Sequence, residues 1–256
     1  MLYSVYAYLR VAVALASLGY ASIHDIRERE VPDRVWLLSF PTCLILAFID
    51  AYFGLVEWGG MIVSLFSALL LGLLLFHLGF YGGADVKALL LMAAAIPSYR
   101  LGHESIFSTL FPSSFLMAFF FSTILSVLFP LYVLILNLLS IFRGEDPLRG
   151  IQVTDPLRRI LLLITARRVS LEELRRGGLK YMVAEEPIEG DDGLLRKPIY
   201  CIRIREEDED MIKKIEEHRG MYKDGVLVSP TIPMIIFLTL GFLLTSILLL
   251  LHPKMP

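Results

Sequence analysis

Two aspartates stand where charged groups are costly, at the ends of segments that are otherwise apolar. Asp25 ends the first apolar segment, within SIHDIREREVPDRVW, and Asp85 begins another, within FYGGADVKALLL. Ionisable side chains near membrane depth are expensive to keep there, so each is a candidate functional group. A carboxylate in such a place can act in acid–base catalysis or as a proton relay.

A glycine pair directly precedes the second aspartate. Gly82 and Gly83 permit backbone conformations and close approaches that side chains forbid, which suits a turn that brings Asp85 up to another carboxylate. An aspartate at a helix end also has a simpler use, because it can cap the helix and its charge complements the helix dipole. The residues alone leave both interpretations open for Asp25 and Asp85.

The elements that hold these aspartates are predicted to be membrane helices. Of the 256 residues, 56% are hydrophobic, and the net charge is −2. Residues 143–229 hold 17 of the 24 Lys and Arg and 18 of the 26 Asp and Glu, so the rest of the chain is nearly free of charge. This balance of acids and bases argues against a nucleic-acid partner. We expect an integral membrane protein, in contact with the lipid bilayer, that carries one polar insertion.

Six windows approach the roughly 20 mostly apolar residues that a spanning helix needs. The predicted spans are residues 2–23, 34–53, 58–81, 88–99, 113–141 and 228–251. The first and fourth are the weakest, because Arg10 interrupts one and Arg100 ends the other. The fifth should kink near Pro130, since proline has no N–H to donate. The predicted fold class is an all-α polytopic membrane protein with about six transmembrane helices and a small α+β insertion before the last one.

The charges of the loops predict the orientation of the chain. Segment 24–34 carries three arginines, and the insertion carries most of the remaining cations. The positive-inside rule therefore places segment 24–34, the turn at 80–87 and the insertion in the cytoplasm, with both termini outside. Asp25 and Asp85 would then lie on the same face of the membrane.

We divide the chain into a membrane domain with five helices, a cytoplasmic insertion and the last transmembrane helix, over residues 1–142, 143–228 and 229–256. In the insertion, Asp155 should cap a helix over about 156–166, and Ser170 with Glu173 fits a capping box. LKYMVAE and PIYCIRIR predict short strands, and EEDEDMIKKIEEH predicts a helix. The insertion is a candidate element for substrate recognition or for a lid.

Several isolated residues receive structural interpretations. Cys43 and Cys201 belong to no CxxC pair, so the sequence predicts no zinc site and no disulfide framework. Arg10 is expected to extend toward one interface of the membrane. Asp33 is expected to be the N-cap of the second helix. A cleaved signal peptide over residues 1–22 is not expected, because the stretch lacks a positive n-region.

The pairing of Asp25 with GGAD at 82–85 resembles the GxGD aspartic proteases. More narrowly, it is similar to the prepilin/preflagellin peptidases of archaeal type. In support, Pro32-Asp33 follows the first aspartate, Lys87 lies two residues after the second, and the last span opens with SPTIPMII. Lys87 is interpreted as an interfacial anchor or as a charge that balances the aspartates.

Two departures from the family pattern are visible. Ala84 stands at the third position of the motif, so the match is to a relaxed form with a hydrophobic residue there. The four-cysteine zinc module of many bacterial prepilin peptidases is absent from the sequence, so their N-methyltransferase activity is not carried over.

The resemblance implies that Asp25 and Asp85 are the catalytic pair and that Gly82, Gly83 and Ala84 form the motif around the second of them. Two close carboxylates share a proton and can hydrolyse a peptide bond without a metal or another cofactor. The implied substrate is an archaellin or type IV pilin-like precursor with a short basic leader and a hydrophobic helix. Cleavage is expected at the cytoplasmic face of the cell membrane.

Three alternatives use the same sequence features differently. A presenilin-like or signal-peptide-peptidase-like protease would share the dyad but not the stretch between Asp25 and Pro32. A proton-coupled transporter would use the aspartates as relay groups, although such groups usually lie nearer the bilayer midplane. A membrane scaffold without catalytic activity would leave the glycine turn unexplained.

Overall fold

The computed structural model describes residues 5–97, 111, 113–153, 155–190, 193–199 and 205–251 of the chain. The chain divides into two compact units, Met1–Ser126 with Pro233–Pro256, and Val127–Ile232. The first unit is helical, and the second combines helices with two small sheets. Cys201 and Arg100 lie outside the described residues.

The first unit contains six described helices, most of them apolar. They are α1 (Val5–Glu28), α2 (Asp33–Tyr52), α3 (Trp58–His77), α4 (Gly83–Ala95), α5 (Ser114–Ser126) and α10 (Met234–Leu251). The second unit contains α6 (Leu128–Phe142), α7 (Pro156–Thr165), β1 (Arg167–Val169), α8 (Leu171–Gly177), β2 (Tyr181–Val183), β3 (Glu185–Gly190), β4 (Gly193–Pro198), α9 (Arg205–Glu217) and β5 (Val226–Pro230).

Four helical segments among the described residues are long and apolar enough to cross a membrane. They are Val5–Glu28, Asp33–Tyr52, Trp58–His77 and Ser114–Phe142, the last of which comprises α5 and α6. The chain is therefore a largely helical membrane protein with a small sheet region toward its C-terminus. The count of six spans stays a prediction, because α4 has 13 residues and the rest of its predicted span runs into residues 98–110, outside the described ranges.

Helix α4 is the most buried element of the first unit. All but one of the residues from Ala88 to Ala95 are buried, and α4 contacts α1, α2, α3, α5 and α10. A helix that is apolar on every side is stable only when neighbours cover every side. Asp85 therefore stands at the N-terminus of a helix that is fixed by packing all around it.

Two glycines let helices of the first unit approach closely. A Cβ at Gly72 in α3 would lie 2.9 Å from Cγ1 of Val86 in α4, and a Cβ at Gly241 in α10 would lie 2.5 Å from the backbone nitrogen of Ser122 in α5. Small residues at such crossings bring the helix backbones together, which is common in membrane helix packing. The neighbours of α4 are held in place by these contacts.

The structure corrects the interpretation of Arg10. The side chain does not extend toward an interface: it is fully buried, and its Nη2 lies 3.0 Å from Oδ2 of Asp50. Asp50 in α2 supplies a counter-charge inside the unit, so the guanidinium gains an ionic partner without reaching water. The pair joins α1 to α2 far from the end of α1 that carries Asp25.

The predicted kink at Pro130 is a break between two helices. Val127 separates α5 from α6, because Pro130 has no N–H for the carbonyl of Ser126 and its ring crowds that carbonyl.

The start of the predicted last span at residue 228 is also wrong. Residues 226–230 form β5, the central strand of the sheet β1-β5-β2, so their backbone groups pair with both neighbours.

Most local predictions for the second unit are confirmed. The side chain of Asp155 accepts a hydrogen bond from the backbone of Leu157 at the start of α7, and that of Ser170 accepts one from Glu173 at the start of α8. Helix α9 matches its predicted acidic segment. Most of the predicted strand PIYCIRIR, residues 200–204, lies outside the described residues, and the strand before it, β4, ends at Pro198 and pairs with β3.

Candidate active site

Asp25 lies in the last turn of α1 and faces the beginning of α10. Its carboxylate is largely buried, with 13% of the side chain exposed. Oδ2 accepts a hydrogen bond of 3.3 Å from the backbone N–H of Ile235, in the first turn of α10. The first N–H groups of a helix have no partner within the helix. This hydrogen bond therefore stabilises the start of α10 and also fixes the position of the Asp25 carboxylate. One turn earlier, the hydroxyls of Ser22 and Thr239 lie 2.8 Å apart and fix the same helix pair.

Asp85 is the third residue of α4, and its carboxylate turns back over the start of the helix. Oδ2 accepts a hydrogen bond of 2.8 Å from the backbone N–H of Gly82, the N-cap residue. This is one half of a capping box, with the acid at the third helical position. The negative charge also lies at the positive end of the helix dipole. The capping role considered for this residue is therefore real, and it orients the carboxylate.

The two carboxylates lie at the same end of the first unit. Asp25 and Asp85 are close enough for their negative charges to repel each other. Their helices also touch, since α4 contacts both α1 and α10. The packing of α1 and α4 thus brings together two carboxylates that are separated by sixty positions in the sequence.

Arg29 is a residue of this site that the sequence did not single out. Its side chain is 12% exposed, and its Nη1 lies 3.9 Å from Oδ1 of Asp25. Burial lowers the pKa of the Arg29 guanidinium, and the charges of Asp25 and of Asp85 oppose that shift. Both carboxylates therefore interact with the same cation. In the sequence, Arg29 was one of three arginines in a loop, and nothing local separated it from the other two.

Tyr81 is a second neighbour of these carboxylates, through Asp85. It precedes the glycine pair and packs against the hydrophobic core of the first unit. Burial raises the pKa of the Tyr81 phenol, and the negative charge of Asp85 raises it further. The phenol is therefore neutral over the whole ordinary pH range, and it contributes an apolar wall with one hydroxyl to the site.

Lys87 is not brought to the carboxylates. Its Nζ makes an ion pair of 2.5 Å with Oδ1 of Asp33, and both side chains are exposed. Residues two apart on a helix point in opposite directions, so Lys87 cannot share the face of Asp85. The N-cap prediction for Asp33 is wrong: Pro32 occupies the cap position, Asp33 is the first helical residue, and its carboxylate pairs across to α4.

The motif residues around Asp85 have distinct places. Gly82 supplies the N–H that holds the carboxylate, Gly83 begins α4, and Ala84 packs against the core. Gly82 has an extended backbone with φ −86°, and a Cβ at Gly83 would meet no atom within 4 Å. Neither the backbone of Gly82 nor the space around Gly83 therefore requires glycine. The left-handed turn needed here falls earlier, at Gly79 with φ +74°.

The residues that the structure describes contain no group of three or more His, Cys, Asp or Glu side chains arranged to hold a metal ion. The chemistry that the site offers is that of two carboxylates in a largely dry environment beside one cation.

The family comparison supplies the context for this geometry. A model of the type IV leader peptidase family matches residues 12–140, which include both aspartates. The chain belongs to the type IV leader peptidase family. A second model, the archaeal peptidase A24 C-terminus type II, matches residues 158–249. This protein is therefore a peptidase, and the catalytic type of its family is aspartic.

Individual relatives agree with the family match. The chain is 28% identical to a preflagellin peptidase of Methanococcus voltae over 183 residues, which cover 65% of this chain and 70% of the relative. It is 27% identical to a preflagellin peptidase of Methanocaldococcus jannaschii over 246 residues, 92% of each chain. It is also 25% identical to one of Methanococcus maripaludis over 244 residues, 92% of this chain and 93% of the relative. No solved structure matches the chain significantly.

Proposed function

We propose that this leader peptidase is a membrane aspartic endopeptidase that removes the short basic leader from archaellin or type IV pilin-like precursors, with Asp25 and Asp85 as its catalytic dyad. The observation that carries the proposal is the position of these two carboxylates, which lie at one end of the helical unit within electrostatic range of each other. The family match and the preflagellin peptidase relatives support the class of substrate.

The proposed mechanism needs one proton between the two carboxylates. Two like charges at close range cannot both ionise easily, so the pair carries a single negative charge. The ionised member takes a proton from a bound water, and the oxygen of that water attacks the scissile carbonyl carbon. The protonated member donates its hydrogen to the carbonyl oxygen. When the C–N bond breaks, the leaving amine takes a proton from the dyad. The proton belongs to the pair, so neither role is fixed to one residue.

The proposed membrane topology follows from the distribution of charge. Six spans would place segment 24–34, the turn before α4 and the polar region 143–228 on the cytoplasmic side, with both termini outside. The hydrophobic helix of a precursor would then stay in lipid, while its basic leader stays in water beside the aspartates. This arrangement puts the scissile bond at the level of the dyad.

The test is cleavage of a recombinant preflagellin or prepilin precursor by membranes that contain wild type, Asp25→Asn or Asp85→Asn. Each asparagine keeps an oxygen that can accept the N–H of Ile235 or of Gly82, so both variants should fold. Each should lose at least about 100-fold in rate, since the acid–base pair is gone. The matched control is Asp33→Asn, which removes an exposed carboxylate from the same region and should cleave like wild type.

Equal loss in the Asp33 control, or substantial turnover in either dyad variant, would contradict the assignment of the dyad. Failure of the wild type to cleave either kind of precursor, in membranes where it is inserted and folded, would contradict the proposed substrate class. Protease accessibility of the polar region in sealed vesicles of known orientation tests the topology separately.

A further inference from the structure

The end of α1 has an unusual backbone. Arg29 has φ +59° and is the one residue other than glycine with a left-handed backbone in the described part of the chain. Its N–H donates to the carbonyl of Asp25 at 3.2 Å, which closes the last turn of the helix. Glycine is the residue usually found at this position, because a side chain is strained there. Strain that persists at a site often marks function.

The left-handed turn directs the Arg29 side chain back into the site rather than into water. Only 12% of that side chain is exposed, whereas the neighbouring Arg27 is exposed. Burying an arginine is costly unless opposite charge is near. The opposite charge is supplied by Asp25 of α1 and by Asp85 of α4, both of which interact with the guanidinium.

We propose that Arg29 is a positioning residue of the dyad, whose guanidinium, directed inward by the left-handed end of α1, holds Asp25 and Asp85 in the state that carries one net negative charge. This inference rests on the proposed function of the two aspartates. One cation and one shared negative charge leave the buried cluster neutral, which is the least costly arrangement in a dry site.

Several other groups of the described residues near this end of the unit have partners of their own or carry no charge. On α1, His24 lies 3.4 Å from Glu28. Asp33 of α2 pairs with Lys87 of α4 at the surface. Tyr81 is neutral, and α10 contributes the backbone N–H of Ile235. Among the described residues that interact with the carboxylates, Arg29 is the cation that can balance their charge.

The consequence is a change in the pH dependence of cleavage when the guanidinium is removed. Without the cation, burial and mutual repulsion favour the doubly protonated, neutral dyad, which has no general base. Ionisation to the working state then requires a higher pH, so the acid limb of the rate profile should move upward. An opposite charge at this range is typically worth about one pH unit or more.

The test uses Arg29→Gly, Arg29→Lys and the control Arg27→Gly, purified in detergent and assayed from pH 5 to 9 with a recombinant preflagellin precursor. Arg29→Gly relieves the backbone strain while it removes the cation, so its thermal midpoint should equal or exceed that of wild type. Its kcat/KM at pH 6 should nonetheless fall by about tenfold or more, because the midpoint of the acid limb of the pH profile should lie about one pH unit higher than in wild type. Arg29→Lys keeps a cation, so the midpoint of its acid limb should stay within about 0.3 pH unit of the wild-type value.

Three results would overturn the inference: an unchanged acid limb in Arg29→Gly, the same shift in Arg27→Gly, or a loss of activity that follows a loss of thermal stability. These outcomes are separate from failure of the proposed function. If the wild type cleaves the precursor in a manner that requires both aspartates, the dyad stands, and the Arg29 profile decides the positioning role alone.

Discussion

The buried ion pair between Arg10 and Asp50 should make a large contribution to the stability of the first unit. The two side chains are 0% and 1% exposed, and their closest charged atoms lie 3.0 Å apart. Within the described part of the chain, no side-chain nitrogen or oxygen of either residue makes a hydrogen bond. Each charge therefore depends on the other, and removing one leaves the other buried and uncompensated.

The expected magnitude follows from that burial. Arg10→Met should lower the free energy of unfolding by about 3–5 kcal/mol, because truncating one member of a buried pair strands its partner. The double variant Arg10→Met/Asp50→Leu should recover most of this loss, since replacing both members with apolar residues is often about neutral. Cleavage at a permissive temperature should be unchanged in the double variant. Along α1, Arg10 and Asp25 are separated by about 22 Å, at about 1.5 Å per residue.

The measurement is a double-mutant cycle with Arg10→Met, Asp50→Leu and the double variant. Unfolding by denaturant in detergent micelles is followed by far-UV circular dichroism, and cleavage is assayed in parallel. The reasoning is refuted if Arg10→Met costs less than about 1 kcal/mol, or if the losses of the two single variants simply add in the double variant. Either result would mean that the charges do not hold α1 and α2 together.

Two further predictions concern packing and pH. Gly241→Ala places a methyl group against Ser122, with its carbon 2.5 Å from the Ser122 backbone nitrogen, and should destabilise the protein by about 1–3 kcal/mol in the same unfolding assay. The control Gly19→Ala meets no atom within 4 Å and should stabilise by about 0.5–1 kcal/mol, so equal effects at the two sites would contradict the proposed packing. In the second unit, burial and then the charge of Glu185 raise the pKa of Tyr222 from 10.0 to about 12. Because folding raises the pKa of this phenol, its contribution to the stability of the folded state is fully present below the pKa of the unfolded state and is lost as the pH rises from about 10 to about 12. Over this pH interval, the thermal midpoint of Tyr222→Phe should therefore fall less than that of wild type.

Local features of the second unit were predictable because they depend on neighbouring residues. The caps at Asp155 and Ser170 and the acidic helix α9 follow from propensity and capping chemistry within a single turn. Residues 228–230 of β5 were assigned to the last membrane span, because they begin an uncharged window that runs on to Leu251. What makes it a strand is pairing with β1 and β2, which lie up to sixty residues away in the chain.

The candidate site likewise has residues that the sequence indicated and residues that only the tertiary structure identified. The sequence indicated Asp25 and Asp85 because a charged side chain beside an apolar segment is energetically unfavourable and because the surrounding residues resemble a known family. It did not indicate Arg29, which resembles its two neighbouring arginines until the left-handed end of α1 turns it inward. For Lys87 it offered an interfacial anchor or a charge that balances the aspartates, and only the structure shows that its carboxylate partner is Asp33 of α2.

The sequence by itself therefore indicated which segments are apolar enough for a membrane, where several helices begin, and which two acids are the candidate catalytic pair. The tertiary structure decided which charges meet: Arg10 with Asp50, Asp33 with Lys87, and Arg29 with both members of the dyad. The physical reason is that hydropathy and capping act over one or two turns of chain. Pairing of charges across helices depends on the packing of whole helices, in which Gly72 and Gly241 set the close approaches that no local pattern specifies.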